Sequence, residues 1–272
     1  ELGGSATMGA DLSTTRCFSG ANPLAPRDIP RPQVFAIMRN GHEVLRGALK
    51  ECDDALKIPD NATAVSEFAK RWRDFMHWQD LHAAMEDGVA GKHKGMFKLL
   101  NDEFSGVAKQ NGLEKQHAML HPMEARVEKA IRSGKKAEIA KAWTPFYAKD
   151  EAHMVLEEAV MMPKVQELMK KNVNMRDTVR THLLPGVPAD EMPFFVRFAM
   201  TTLEKHDGGM PRFRVFAHAL QAVADSQSEW NSWLAYIREG LSDGAMRSLD
   251  ADLDLAAWGP GAYPAPGAGA GK

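Results

Sequence analysis

Apolar residues recur at helical spacing along most of this chain. Val34, Phe35, Met38, Leu45, Leu49 and Leu56 mark a first amphipathic segment, closed by Pro59 and the DNAT turn at 60–63. Phe68, Trp72, Phe75, Leu81, Met85 and Val89 mark a second, with a pause at Gly88 and Gly91 before Phe97 and Leu100 resume the stripe. A third carries Met119, Leu120, Val127 and Ile131 and stops at Ser133 and Gly134. A fourth runs from about Ile139 to Met169, with Trp143, Phe146, Met154, Leu156, Val160 and Met161 on its inner side. No alternating apolar–polar run of strand type occurs.

Beyond residue 176 a proline-rich turn leads into further helical patterns at about 190–205, 212–225 and 227–241. The expected organisation is an irregular N-terminal segment (1–32), a helical bundle (33–175), a helical C-terminal extension (176–257) and a Gly/Pro/Ala tail (258–272). The fold class expected is all-α: an antiparallel four-helix bundle, up-and-down across about 34–172, with helices appended.

Composition narrows the function. A chain of 272 residues can bury a sizeable core, and its 44% hydrophobic and 26% charged content is ordinary for a globular protein. A net charge near −2 gives no reason to expect nucleic acid as a partner, and no apolar run is long enough for a membrane span. Cys17 and Cys52 are the only cysteines, which excludes a disulfide framework and a thiolate metal site and suits a reducing compartment. Residues 13–27 contain two arginines and no acid, a faint transit-peptide-like feature, so the expected location is intracellular, in cytoplasm or an organelle.

The candidate chemistry lies in histidines and carboxylates on these segments. They read His42, then His82 with Glu86, then His117 with His121, then His153 with Glu157. Residues at i and i+4 share a helical face, so each pair aims two side chains at one place. Ten histidines and 36 acidic residues give roughly 1.3 accidental His-x-x-x-acid pairs, and two are found, so each pair alone is a weak signal. The order across four segments carries the information. Imidazole with carboxylate suits a transition metal such as iron better than calcium or magnesium.

In this order the residues resemble the hemerythrin, or HHE cation-binding, family over about 35–170, and the run HMVLEEAVMMP at 153–163 is close to the family's fourth-helix motif. The resemblance implies two non-haem iron ions. His117, His121 and His153 would hold one, His42 and His82 the other, and Glu86 and Glu157 would bridge them. The second ion would keep a vacant position for a diatomic gas, O2 or NO. Uses implied are gas binding or sensing and iron handling; whether the protein is an enzyme stays open.

Three features depart from the pattern. Pro122 directly follows His121, so the third helix either kinks there or begins there, which puts one of its two histidines in doubt. Glu158 competes with Glu157 as bridge, although i+4 geometry favours Glu157. Gly88 and Gly91 weaken the segment just after Glu86. His77, His93, His182, His206 and His218 lack partners at ligand spacing and read as solvated, with His77 the best reserve ligand. Met85, Met119 and Met154 fall beside proposed ligands and would line a dry pocket.

Two other readings compete. A ferritin-like di-metal protein would use Glu114-x-x-His117 and the near match Asp150-x-x-His153, but that leaves His42, His82 and His121 unexplained. A helical accessory or scaffold subunit with a structural or vestigial metal site would dock on a protein partner through Phe194, Phe195, Phe198, Trp230, Trp233 and Tyr236 of the C-terminal helices. Zinc hydrolysis lacks the His-Glu-x-x-His motif.

Overall fold

The periodicity closes into helices nearly end to end in the computed structural model, which describes residues 36–171, 175–206, 212–251 and 253. Helix α1 spans Ala36–Leu56 and α2 spans Asn61–Asp87. Asp60 caps α2, its side chain accepting from the Thr63 N–H at 2.7 Å and so satisfying one of the orphan donors of the first turn. Two short helices follow, α3 (Gly95–Glu103) and α4 (Val107–Gln110), then the long pair α5 (Leu113–Arg132) and α6 (Lys136–Lys170). The C-terminal part holds α7 (Met175–His182), a 3-10 turn at Leu184–Gly186, α8 (Met192–Lys205), α9 (Arg212–Val223), α10 (Gln227–Gly240) and α11 (Asp243–Asp250). The fold is all-α, with no strand among the described residues.

Helices α1, α2, α5 and α6 bring the candidate ligands together. α1 packs along α2, α5 along α6, and α6 also touches α1 while α2 touches both α5 and α6. Below the ligand level Phe68, Trp72, Phe75, Trp143 and Phe146 form an aromatic layer, with Trp72 and Phe146 in edge-to-face contact at 5.1 Å. The C-terminal helices lie on α1 and α2: α8 and α9 pack on α1, and the 3-10 turn packs on α2. Trp78 of α2 stacks on Phe195 of α8 at 5.0 Å and donates its indole N–H to the Phe195 carbonyl at 3.2 Å. One hydrophobic cluster runs through both parts.

Several boundaries differ from the pattern reading. Pro122 neither starts nor ends a helix but sits inside α5, as Pro145 and Pro163 sit inside α6. Each deletes one backbone hydrogen bond, and packing of the flanking turns holds the helix through the gap. The helices α7 and α11 were not visible in the periodicity, because eight residues are too few to establish it. The expected segments at 1–32 and 258–272, the transit-like run, Cys17 and the start of the first helix at Val34 lie outside the described residues. No described helix is long and apolar enough to cross a membrane.

Candidate metal centre

Six side chains from four helices meet in the core. His42 comes from α1, His82 and Glu86 from α2, His117 from α5, and His153 and Glu157 from α6, and all six are buried. Gly41 allows α1 its close approach, since a Cβ there would stand 3.1 Å from His82 Nδ1 and 3.5 Å from the Trp78 ring. His42 and His82 stand ring to ring at 5.1 Å, and His117 and His153 at 4.7 Å.

The two carboxylates lie between the two histidine pairs and divide their oxygens. Glu86 Oε1 is 3.7 Å from His42 Nε2 and 3.4 Å from His82 Nε2, while Oε2 is 3.5 Å from His117 Nε2. Glu157 Oε2 is 3.3 Å from His42 Nε2, while Oε1 is 3.6 Å from His117 Nε2 and 3.4 Å from His153 Nε2. The donors thus fall into two overlapping groups, His42, His82, Glu86 and Glu157, and Glu86, His117, His153 and Glu157, each with ligand atoms within 4.8 Å of one another.

These residues fit metal ions. Two donors about 2.1 Å from one ion stand roughly 3 to 3.5 Å apart at ordinary coordination angles, close to the spacings found. His42 Nε2, His82 Nε2, His117 Nε2 and all four oxygens of Glu86 and Glu157 are buried without a hydrogen-bond partner. Buried polar atoms are seldom left so, and a cation at each group would satisfy them together. The donor set suits a transition metal.

Electrostatics point the same way. Burial opposes charge on His42 and His117, but contacts with carboxylates win: Glu157, Glu158 and Glu86 raise His42 well above its usual value, and Asp87, Glu157 and Glu86 push His117 up to about 12. Burial would raise Glu86, yet the imidazoles of His82, His117 and His42 beside it hold it well below the carboxylate range. Burial lowers His153 to about 4, leaving it neutral. The centre is a pocket of negative charge that keeps positive charge beside it.

A second set of residues orients the ligands. His42 Nδ1 faces Glu158 Oε1 at 3.0 Å, and Glu158 is gripped by Arg39 and by Arg46 at 2.7 Å. His117 Nδ1 faces Asp87 Oδ2 at 2.6 Å. Such partners fix which ring nitrogen is free to bind a metal. Glu157 holds the central place and Glu158 the outer one. Asp87 escaped the sequence reading; its only signal is a second acid directly after Glu86.

His121 is not brought to the centre. Its side chain is 71% exposed and faces Glu124 at 3.0 Å. The inward positions of α5 step through 113, 117, 120, 127 and 130, so Leu120 takes the place next above His117 and position 121 turns outward. The spacing of Leu120 from Val127 carries that signal. His77 is also elsewhere, paired with Glu191 at 2.9 Å and stacked on Phe194 at 4.1 Å. His206 is not solvated but pairs with Glu51 at 3.1 Å. Met85 and Met154 are buried near the ligands, whereas Met119 is 52% exposed and lines nothing there. Glu114 is exposed and bonds Asn101 at 2.9 Å, away from the cluster.

No protein-family model matches this chain, and comparison with curated proteins and with solved structures finds no match.

Proposed function

We propose that this chain is a hemerythrin-like di-iron protein that binds or senses dioxygen or nitric oxide, or handles iron. The observation that carries the reading is the division of the Glu86 and Glu157 oxygens between the pairs His42/His82 and His117/His153. His42 and His82 would hold one ion, His117 and His153 the other, and the two glutamates both. A carboxylate shared by two cations offsets their mutual repulsion and keeps them adjacent. The iron pair would supply one-electron chemistry and an affinity for diatomic gases.

This assignment differs from the family pattern in one respect. Without His121 each position has two imidazoles, in place of three against two, and four protein donors leave both positions open to exogenous ligands. The chain's own residues do the rest. Glu158 and Asp87 orient His42 and His117, and the buried Met85, Met154, Trp78 and Phe97 exclude water around them.

The scaffold reading has less to rest on, because Phe195, Trp230 and Trp233 are buried within the chain's own core while Phe194, Phe198 and Tyr236 are half-buried against it. The ferritin-like reading needs Glu114 as a ligand, and that residue is exposed. Purified protein reconstituted with ferrous iron without oxygen, then exposed to dioxygen or nitric oxide, should change its visible absorbance. His82→Ala should abolish much of the change. Absence of any response to either gas in the iron-loaded protein would overturn the gas-binding part of the proposal.

A further inference from the structure

Helices α2 and α6 present the same succession of residues to the centre. On α2 it is Gln79, His82, Glu86; on α6 it is Asp150, His153, Glu157. In each, a polar side chain precedes the histidine by three positions and the glutamate by seven. Side chains on a helix lean toward its N-terminus, so each imidazole lies over the polar residue one turn before it. Gln79 is 4% exposed and Asp150 0%.

Both residues hold atoms that nothing satisfies. Gln79 Oε1 and both oxygens of Asp150 are buried without a hydrogen-bond partner, and so are the Nδ1 atoms of His82 and His153. The other two ligands show what this nitrogen takes when it is satisfied: Glu158 for His42 and Asp87 for His117. A buried carboxylate without a partner is costly to the fold. A hydrophobic residue, as at the neighbouring inward position Phe146, would serve packing better.

The acceptors also differ in charge. Glu158 is neutralised by Arg39 and Arg46, and Gln79 carries none. Among the described residues neither Asp87 nor Asp150 pairs with an arginine or lysine, so once His117 yields its proton to an ion no basic side chain offsets either carboxylate on the His117/His153 side.

Resting on the two-ion reading, we propose that Asp150 is a positioning residue of the centre. With an ion at the His117/His153 position, Asp150 accepts the Nδ1–H of His153 and adds negative charge beside that ion. Gln79 does the same for His82 without charge. The His117/His153 position is then the tighter of the two.

Cobalt(II) titration of the full chain against a competing chelator tests this, with the melting temperature of the metal-free protein recorded in parallel. The wild type should bind two ions in separable steps. Asp150→Leu should weaken the tighter step by about 10–100-fold, the usual effect of losing an orienting partner, and leave the weaker step unmoved. Asp150→Asn, which keeps an acceptor but not the charge, should fall between them. Metal-free Asp150→Leu and Asp150→Asn should melt at or above the wild-type temperature. A merely structural role would instead lower that temperature and weaken both steps together. If the wild type binds two ions and both variants bind them with unchanged affinities, the assignment of Asp150 is wrong and the two-ion reading stands. If the wild type binds none, both fall.

Discussion

Glu86 on α2 and Glu157 on α6 are fully buried, and their ligand oxygens approach within 4.8 Å of each other. Two carboxylates so close in a dry core repel strongly unless positive charge lies between them. Because both donor groups contain both glutamates, neither can be lost without damage to both positions. Glu86→Gln and Glu157→Gln should each remove at least one ion per chain by elemental analysis. Full metal content in either variant would contradict a shared role.

His117 and His121 separate two accounts of α5. If four residues of helical spacing sufficed, both would bind. The exposed His121 should instead be dispensable, so His121→Ala should keep the wild-type metal content while His117→Ala loses at least one ion. Elemental analysis of the two variants side by side decides it.

The sequence made the helices and most of the site legible because both rest on periodicity. His82 with Glu86 and His153 with Glu157 are local i,i+4 pairs on long buried stripes, and the same stripes that predict α2 and α6 point them inward. His121 misled for the same reason: spacing alone gives a shared face, while the rotation of α5 is set by Leu120 and Val127 against the core. The orienting residues were less legible. Glu158 touches His42 from 116 positions away, and Asp87 reaches His117 across 30, so only packing between helices brings them together.

Proton release should accompany metal binding. Carboxylate contacts raise His42 and His117, the latter to about 12, so both hold protons in the metal-free fold at neutral pH and must give them up to a cation. Apparent metal affinity should therefore rise with pH between about 6 and 8. A base whose value is raised in the fold stabilises fully below its unfolded value, near 6.5, and that stabilisation is lost as pH rises toward the folded value. Metal-free protein should accordingly lose melting temperature above about pH 6.5, and metal-loaded protein should lose less. Melting curves at several pH values, with and without the ion, check both signs.

Asp150 has its own window. Burial pushes its carboxyl up to about 7, with Glu157 adding to the effect. An acid raised in the fold stabilises below its unfolded value, near 3.9, and that contribution is lost as pH rises through 7. Asp150→Asn should thus gain on metal-free wild type as pH rises from about 4 to 7, by up to about 4 kcal/mol, and level off above. Urea unfolding across that range measures it, and a pH-independent difference would show the carboxyl to be solvated.

Gly95 opens α3 with φ of 70°, and a Cβ there would collide with backbone atoms of Glu86, Asp87 and Gly88. Gly91 has a similar φ of 76° but nothing within 4 Å. Gly91→Ala should cost about 1 kcal/mol for the left-handed backbone alone, and Gly95→Ala several times more. The second variant should also lose metal, because the collision displaces the end of α2 that carries Glu86 and Asp87. Thermal melts and metal content of the pair distinguish strain from collision.

The most direct measurement is the metal content of the full chain expressed in iron-replete medium, beside His82→Ala and His153→Ala. Close to two irons per wild-type chain, and a loss of at least one in each variant, is the expected result. Zinc alone, no metal, or a content indifferent to both substitutions would contradict the proposed di-iron centre.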